Sequence, residues 1–178
     1  RMGAIMGSGG MVVLSESSCM VDVARYFLSF TCQESCGKCT PCRVGNKRLN
    51  EILQKITNGN GTEEDLTRLR NLALVIKDTA LCGLGQTSPN PVLSTMDNFP
   101  EEYLAHVKEK RCPAHQCRNL TQYFINPEKC RGCTLCARTC PVGAIKGDRK
   151  LPHVIDTQAC IRCGTCLEKC KFGAVYVH

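Results

Sequence analysis

Closely spaced cysteines are the residues of this chain whose types and spacing most clearly point to a chemistry. Two runs near the C-terminus share the pattern Cys-x-x-Cys-x-x-Cys-x-x-x-Cys. They are Cys130, Cys133, Cys136 and Cys140, and then Cys160, Cys163, Cys166 and Cys170. Three thiolates in so tight a loop suit an iron–sulfur cube, whereas zinc usually takes paired Cys-x-x-Cys knuckles. We therefore expect two 4Fe–4S clusters in this part of the chain.

The fourth cysteine of each run is expected to ligate the cluster of the other run. A loop of three thiolates grips one side of the cube, and the remaining iron faces the partner half. Cluster one is therefore assigned to Cys130, Cys133, Cys136 and Cys170. Cluster two is assigned to Cys160, Cys163, Cys166 and Cys140.

A third cysteine triplet lies nearer the N-terminus, at Cys36, Cys39 and Cys42. It supplies three thiolates, so a fourth ligand has to come from elsewhere. Cys82 is the natural choice because the residues between can fold back as a helical hairpin and bring it alongside the triplet. We expect a third 4Fe–4S cluster on these four residues.

The remaining cysteines suggest a separate zinc site. Cys112, Cys117, His106 and His115 are candidate zinc ligands close together in the sequence, with Cys19 or Cys32 as an additional ligand. The alternative is that these cysteines pack as small hydrophobic residues. That alternative is favoured for Cys19 and Cys32, because Cys19 falls within a helical apolar pattern. Two further histidines, His153 and His178, are expected on the surface.

Cysteine is unusually abundant, at 16 of 178 residues. This density is typical either of a disulfide scaffold or of several metal centres. The clustering favours metal, because a disulfide framework scatters its cysteines along the chain. Thiolate ligands must stay reduced, so we expect a reducing compartment and place the protein in the cytoplasm.

The net charge of +7 does not by itself predict a nucleic-acid partner. Three oxidised clusters with their thiolates are anionic and would bring the net charge to about +1. The chain has no tryptophan and few other aromatic residues, so platforms for base stacking are not expected. Its apolar runs are too short to span a membrane.

Helical periodicity dominates residues 18–110, which have to position the first triplet. Apolar residues recur at helical spacing in three stretches, starting at Met20, Leu49 and Leu66. Thr62 is expected to cap the third helix, with Asp65 at its third position. Shorter helices are expected after Pro89 and over residues 100–110, so this region predicts a small helical bundle.

Residues 121–178 alternate short β-type runs with the two cysteine runs. The stretch "CRGCTLCARTCPVGAI" is repeated as "CIRCGTCLEKCKFGAV", which indicates two similar half-units packed face to face. The predicted fold class is therefore α+β. A helical bundle carries one cluster and precedes a two-cluster domain of βαββαβ type, and "GMVVL" at residues 10–14 is predicted to end a strand.

These motifs resemble two known families. Residues 121–178 resemble a bacterial two-cluster ferredoxin. The segments "ESCGKCTPCRVG" and "LCGLGQ", with the helical hairpin between them, resemble the iron–sulfur-binding domain of the NADH-binding flavoprotein subunit of complex I. The related subunits of NAD(P)-linked hydrogenases and formate dehydrogenases share that domain. The leading "GSGGMVVL" matches the end of the ubiquitin-like domain that precedes it in the family.

The resemblance divides the chain into four parts. Residues 1–17 would end a ubiquitin-like β domain, and residues 18–110 would be the helical iron–sulfur domain. Residues 111–120 would be a hinge, and residues 121–178 the ferredoxin domain. We expect the ferredoxin domain to swing on this hinge and so to gate where electrons go.

The added ferredoxin domain is similar to the flavoprotein subunit of multimeric, often electron-bifurcating, NAD(P)-linked iron hydrogenases. This resemblance implies FMN and NAD(P) sites upstream of residue 1, so no catalytic residue is expected in the chain. It also implies a 2Fe–2S thioredoxin-like subunit and a hydrogenase catalytic subunit as partners, with a soluble ferredoxin as a further partner. The chain would relay electrons between the flavin and such a partner.

Two other functions stay open from the sequence. One is a flavoprotein subunit of complex I or of an NAD-linked formate dehydrogenase, against which the ferredoxin repeat argues. The other is a metal-binding module that organises an assembly without electron flow.

Overall fold

The N-terminal half of the chain is helical in the computed structural model, which describes residues 9–177. Its helices are α1 (Met20–Glu34), α2 (Asn46–Thr57), α3 (Glu63–Thr79), α4 (Gly83–Thr87), α5 (Asn90–Asn98) and α6 (Pro100–Leu104). A π-helical turn at Pro41–Gly45 leads into α2, and a second at Ala105–Glu109 extends α6. The predicted helical bundle is confirmed.

A single apolar core holds these helices together. Leu28 of α1 and Leu53 of α2 are completely buried, as are Leu69 and Ile76 of α3. Helix α1 packs against α2 and α5, so the core runs through the middle of the bundle. Burial of each such side chain stabilises the fold by about 1.5–3 kcal/mol, and packing rather than helix propensity therefore fixes the arrangement.

The start of α3 follows the sequence prediction closely. The Thr62 Oγ1 accepts a hydrogen bond from the Asp65 backbone N–H, and an Asp65 carboxylate oxygen accepts from the Thr62 backbone N–H at 2.8 Å. Lys55 of α2 donates to the same carboxylate oxygen at 2.7 Å. This capping box both starts α3 and ties it to α2.

The C-terminal domain consists of two similar halves. They contain β1 (Tyr123–Ile125), α7 (Leu135–Thr139) and β2 (Ile145–Lys146), and then β3 (Val154–Ile155), α8 (Thr165–Lys169) and β4 (Val175–Val177). Strand β1 pairs antiparallel with β4, and β2 pairs antiparallel with β3. The α+β class is confirmed.

The β1–β4 pairing joins the first strand of one half to the last strand of the other. The core between the halves contains Ile145, Ile155 and Val175 together with Cys136 and Cys166. Each half therefore buries its apolar face only against its partner, and the cysteine loops lie beside this shared core.

The strand predicted at residues 10–14 is not found. Residues 10–15 have no regular secondary structure, and the side chains of Met11, Val12 and Val13 are exposed. A strand needs a neighbour for its backbone hydrogen bonds, and no described residue pairs with this segment. Residues 1–8 lie outside the described part of the chain, so the assignment of residues 1–17 to a ubiquitin-like domain stays a prediction.

None of the helices between residues 9 and 177 combines the length and the hydropathy needed to cross a bilayer.

Candidate metal centres

The first cysteine triplet lies between α1 and α2, where the chain makes its π-helical turn. Cys42 is on this turn and is buried, whereas Cys36 is exposed. A hydrogen bond from the Leu81 backbone N–H lowers the pKa of Cys39. Cys82 follows Leu81 directly, so the structure brings the segment of the expected fourth ligand to the triplet.

Helix α4 lies against the same triplet. Gly85 is buried in this helix, and a Cβ atom added to it would lie 3.2 Å from the Cβ of Cys42 and 3.6 Å from its Sγ. Cys82 is the residue before α4. Its position next to the triplet therefore depends on how closely the glycine lets this short helix approach.

A buried polar chain supports Cys42. The Asn46 Nδ2 donates to the Cys42 Sγ at 3.5 Å, and the Asn46 Oδ1 accepts from the Ser88 Oγ at 2.8 Å. The Ser35 Oγ also lies 3.2 Å from the Cys42 Sγ. Sequence reasoning missed these residues. The one available signal was the four-residue spacing from Cys42 to Asn46. It is about one turn of helix and places the two side chains on the same face.

The two C-terminal cysteine runs line two separate small cavities. Cys160, Cys163 and Cys166 line one of them together with Cys140 of the first run. Cys130, Cys133 and Cys136 line the other together with Cys170 of the second run. The fold thus brings the fourth cysteine of each run to the cavity of the opposite run.

Backbone amides support the crossing cysteines in the same way in both halves. The N–H of Ala144 donates to the Cys140 Sγ at 3.3 Å, and the N–H of Ala174 donates to the Cys170 Sγ at 3.3 Å. Burial raises the pKa of Cys170, but this bond and its backbone neighbours outweigh burial and lower it. Such donors favour a thiolate at the position where a metal ligand is needed.

The third cysteine of each run lies in a less polar environment. Burial raises the pKa of Cys136, and burial together with the charges of Cys160 and Cys163 raises the pKa of Cys166 to about 11. A buried thiol of this kind ionises readily only when a cation compensates the charge. Cys136 and Cys166 therefore suit coordination to a metal better than they suit a free thiolate.

A fourth group of ligand atoms lies where the junction folds back onto the bundle. Cys19, His106, Cys112 and Cys117 are all buried, and their ligand atoms lie within 4.8 Å of one another. The Cys19 Sγ is 3.3 Å from the His106 Nε2 and 3.7 Å from the Cys117 Sγ. Within residues 9–177 this is the one group of three or more candidate ligands this compact.

The tautomer of His106 is set by the backbone. The Nδ1 donates to the carbonyl oxygen of Glu102 at 2.7 Å, which leaves the Nε2 facing Cys19 and Cys117, each at 3.3 Å. Burial lowers the pKa of His106, but its contacts with Cys112 and Cys19 outweigh burial and raise it to about 10. This orientation is the one that metal-bound histidines usually show.

The structure corrects one candidate ligand and redefines another. His115 is exposed and outside the group, because its N–H bonds the Cys112 carbonyl in a tight turn that leaves the side chain in solvent. Cys19 is buried, as a packing role predicts, yet it lies in contact with His106. It immediately precedes α1 rather than lying on its apolar face. Cys32 is half-buried and does not belong to the group.

Known proteins match both parts of the chain. Residues 22–106 match the model of the NADH-ubiquinone oxidoreductase-F iron–sulfur binding region, and residues 122–171 match that of a 4Fe–4S dicluster domain. The NADP-reducing hydrogenase subunit HndC of Solidesulfovibrio fructosivorans is 63% identical over 172 residues, which are 97% of this chain and 35% of that subunit.

Two further matches cover a smaller share of this chain. The F 2 subunit of the NADH-quinone oxidoreductase of Rhizobium meliloti (strain 1021) is 39% identical over 113 residues, 64% of this chain and 27% of that protein. A crystal structure of an NAD+-reducing [NiFe]-hydrogenase in the H2-reduced state superposes with a TM-score of 0.52 at 32% identity. That alignment covers 54% of this chain and 16% of the hydrogenase chain.

The chain spans 35% or less of the length of each of these relatives. The cysteine spacing, the position of Cys140 and Cys170 in the opposite cavities and the two matching models agree with one another. The chain carries the iron–sulfur binding region of NADH-ubiquinone oxidoreductase F-type subunits, followed by a 4Fe–4S dicluster domain.

Proposed function

We propose that this chain is the electron-relaying part of an NAD(P)-linked flavoprotein oxidoreductase of the electron-bifurcating hydrogenase type. It would hold three 4Fe–4S clusters and relay electrons between an upstream flavin and a partner subunit or a soluble ferredoxin. The single observation that carries this proposal is the crossing of Cys140 and Cys170 into opposite cavities. A site that binds a single ion does not require the two halves of the domain to exchange a cysteine.

The residues of the chain fit this role. When bound, the clusters supply one-electron chemistry, which complements the two-electron chemistry of a nicotinamide. Cys36, Cys39, Cys42 and Cys82 are proposed to hold the cluster of the bundle, and the two crossed sets of four cysteines the other two. Backbone N–H groups at Cys140 and Cys170 hold the sulfurs in place and help to set the potentials. FMN and NAD(P) would bind to a part of the parent protein other than this chain.

Hydrogenase is favoured over the complex I type by the extent of the match. The NADP-reducing hydrogenase subunit aligns with 97% of this chain, including the dicluster domain, whereas the quinone oxidoreductase subunit aligns with 64%. The proposed partners are therefore a 2Fe–2S thioredoxin-like subunit and a hydrogenase catalytic subunit, in the cytoplasm. Identification of the subunits that co-purify with the parent protein tests this choice, and a quinone-reductase assembly would refute it.

Iron analysis of the anaerobically purified chain tests the cluster number and the ligands. We expect about twelve irons per chain, and about eight in each of the variants Cys140→Ala and Cys170→Ala. Cys32→Ala is the matched control, because Cys32 lies outside all four ligand groups, and it should keep all its iron. A colourless chain would instead favour the metal-binding assembly module, as would a chain with no reversible one-electron reduction.

We also propose that Cys19, His106, Cys112 and Cys117 bind one zinc ion. Three thiolates and one imidazole are a common ligand set for structural zinc, and the ligand atoms have the mutual distances of a one-ion site. The site would hold the start of α1, the π-helical extension of α6 and the junction together. We expect about one zinc per chain, lost in Cys112→Ala and retained in Cys32→Ala. Equal zinc content in these two variants would refute the assignment.

A further inference from the structure

The sulfur of Cys42 is hydrogen-bonded by two side chains. The Asn46 Nδ2 lies 3.5 Å from the Cys42 Sγ, and the Ser35 Oγ lies 3.2 Å from it. Within residues 9–177, Asn46 is the one completely buried side chain that hydrogen-bonds a proposed cluster ligand. Asn46 is not itself a proposed ligand, so a buried polar residue at this position needs another explanation.

The chemistry of the two groups determines the direction of the bond between Asn46 and Cys42. An amide NH2 group can only donate a hydrogen bond, and a sulfur bound to a metal has no proton to give. The amide oxygen of Asn46 accepts from the Ser88 Oγ at 2.8 Å. Ser88 is itself buried just after α4, where its Oγ lies 3.0 Å from the Gly85 carbonyl oxygen. The amide is therefore held in the orientation that donates to the sulfur.

The hydroxyl of Ser35 is also free to donate to Cys42. Its oxygen accepts a hydrogen bond from the Gly37 backbone N–H at 3.4 Å, which leaves the hydroxyl proton available to the Cys42 Sγ. Since a metal-bound sulfur only accepts, Ser35 has to supply the proton of this bond. Cys42 therefore accepts from two side chains, whereas Cys39 accepts from backbone N–H groups.

Burial makes the bond from Asn46 difficult to replace. The Asn46 side chain is completely buried, whereas Cys36 and Cys82 of the same ligand set are exposed. Water can replace a lost hydrogen bond at an exposed sulfur, but it does not reach a side chain that is fully enclosed by protein. A hydrogen bond is also electrostatically stronger in an environment of low dielectric constant. Removal of the amide should therefore remove its whole effect on the sulfur.

The described residues of the dicluster domain include no comparable donor. The crossing cysteines Cys140 and Cys170 accept from backbone N–H groups. The Thr165 Oγ1 lies 3.4 Å from the Cys163 Sγ, but Thr165 is only half-buried and Cys163 is exposed. A fully buried side-chain donor is thus a feature of the bundle site.

His153 does not supply such a donor either. The surface position predicted for this residue is wrong, because its side chain is only 2% exposed. The residues around β3 alternate, so that His153 and Ile155 face inward while Val154 is exposed. The His153 Nδ1 lies 3.1 Å from the carbonyl oxygen of Leu151, and neither ring nitrogen is hydrogen-bonded to a cysteine among the described residues.

We propose that the side chains of Asn46 and Ser35 each donate a hydrogen bond to the Cys42 sulfur of the bound cluster and raise the reduction potential of that cluster. The reduced cluster carries one more negative charge than the oxidised cluster, so hydrogen-bond donors stabilise the reduced form more. Asn46 and Ser35 are tuning residues rather than ligands. A raised potential makes this cluster a better acceptor of electrons from the flavin. The inference rests on the proposed function, because it presupposes the cluster of the bundle.

A spectroscopic redox titration of the whole, cluster-loaded chain tests the proposal without an activity assay. Cys82→Ala should lose one of the three one-electron transitions, which identifies the transition of the bundle cluster. Asn46→Leu keeps a branched side chain but has no N–H. In this variant we expect the potential of the same transition to fall by at least about threefold in the reduction equilibrium, where tenfold corresponds to about 59 mV. Ser35→Ala should lower the same potential by less, because Ser35 is only half-buried and water can replace its hydroxyl.

Asn50→Leu is the matched control. Asn50 lies one turn beyond Asn46 on α2, and its Oδ1 has no hydrogen-bond partner among the described residues. All three potentials should stay within threefold of wild type in this variant. The proposal is overturned if the potential of the bundle cluster also stays within threefold in Asn46→Leu, or if Asn50→Leu lowers it as much. A higher potential of that cluster in Ser35→Ala would overturn it as well.

A measurement on the wild-type chain decides the question if Asn46→Leu fails to bind its cluster. The side-chain nitrogen of asparagine is labelled with a heavy isotope, and the reduced chain is studied by pulsed electron paramagnetic resonance. We expect a hyperfine coupling between the labelled nitrogen and the unpaired electron of the bundle cluster, and its absence overturns the proposal. Failure of the proposed function is distinct, because the wild-type chain would then lack the iron itself.

Discussion

Whether the cluster of the helical bundle can assemble depends on close contacts between single atoms. Four cysteines have to meet, yet Cys82 is forty residues beyond Cys42 and is exposed. The two segments approach closely at Gly85, where the space for a Cβ atom is already taken by Ala80 at 2.6 Å and by Cys42 at 3.2 Å. This glycine is required for the close approach rather than for a turn.

Replacement of Gly85 by alanine tests this requirement. Because the added methyl group overlaps the Cβ of Ala80, we expect Gly85→Ala to destabilise the bundle by about 1–3 kcal/mol and to lower the iron content of its cluster. Gly83→Ala is the matched control in the same helix, since its Cβ atom would have nothing within 4 Å. Thermal unfolding and iron analysis would measure both effects, and equal behaviour of the two variants would refute the role of Gly85.

At the scale of secondary-structure elements, the sequence predicted those whose signal comes from residues close together in the chain. The helical stretches, the cap at Thr62 and the repeat of the dicluster domain followed from spacing alone, because each depends on residues close in the chain. The inward position of His153 and the contact of Cys19 with His106 did not, since tertiary packing brings together residues that are 87 positions apart in the second case. The prediction of a strand at residues 10–14 was wrong for the complementary reason. Its apolar pattern is local, but a strand forms only when another strand pairs with it.

The capping box of α3 gives a prediction at this scale. Burial raises the pKa of Asp65, but hydrogen bonds from Lys55 and Thr62 outweigh burial and lower it below its ordinary value. We expect Asp65→Asn to reduce the free energy of unfolding by about 1–2 kcal/mol at neutral pH. Asp78→Asn, on the exposed face near the end of the same helix, should change it by less than about 0.5 kcal/mol.

The pH dependence of that effect has a definite sign. A carboxyl group whose pKa is lower in the folded state stabilises the fold fully above its unfolded pKa of about 3.9. This contribution is lost as the pH falls through the lower folded value. The difference in stability between wild type and Asp65→Asn should therefore be constant from pH 7 to about pH 5 and shrink in more acidic buffer. A difference that instead grows on acidification would contradict the assignment.

At the scale of the whole molecule, the junction determines how the bundle and the dicluster domain are joined. The sequence predicts a hinge at residues 111–120, but much of this segment packs on the bundle. Cys112, Cys117 and Leu120 are buried in the bundle core, and the Gln116 side chain donates to the carbonyl oxygen of Ser17 at 3.0 Å. Any swing of the dicluster domain would therefore pivot near Thr121, beyond the proposed zinc site, and the swing itself stays a prediction.

Limited proteolysis with trypsin tests whether the proposed zinc site holds the junction on the bundle. Arg111 and Arg118 flank the two junction cysteines and are the cleavage sites to follow. In Cys117→Ala the site loses one of four ligands, and the buried His106 and Cys112 are left without their shared ion. We expect cleavage at both arginines to become about tenfold faster, because local opening then costs less free energy. Cys32→Ala should be cleaved as slowly as wild type, and a chelator added to wild type should reproduce the Cys117→Ala pattern. If Cys117→Ala is as resistant as wild type, hydrophobic packing of the junction is sufficient and a metal ion is not needed to hold the junction on the bundle.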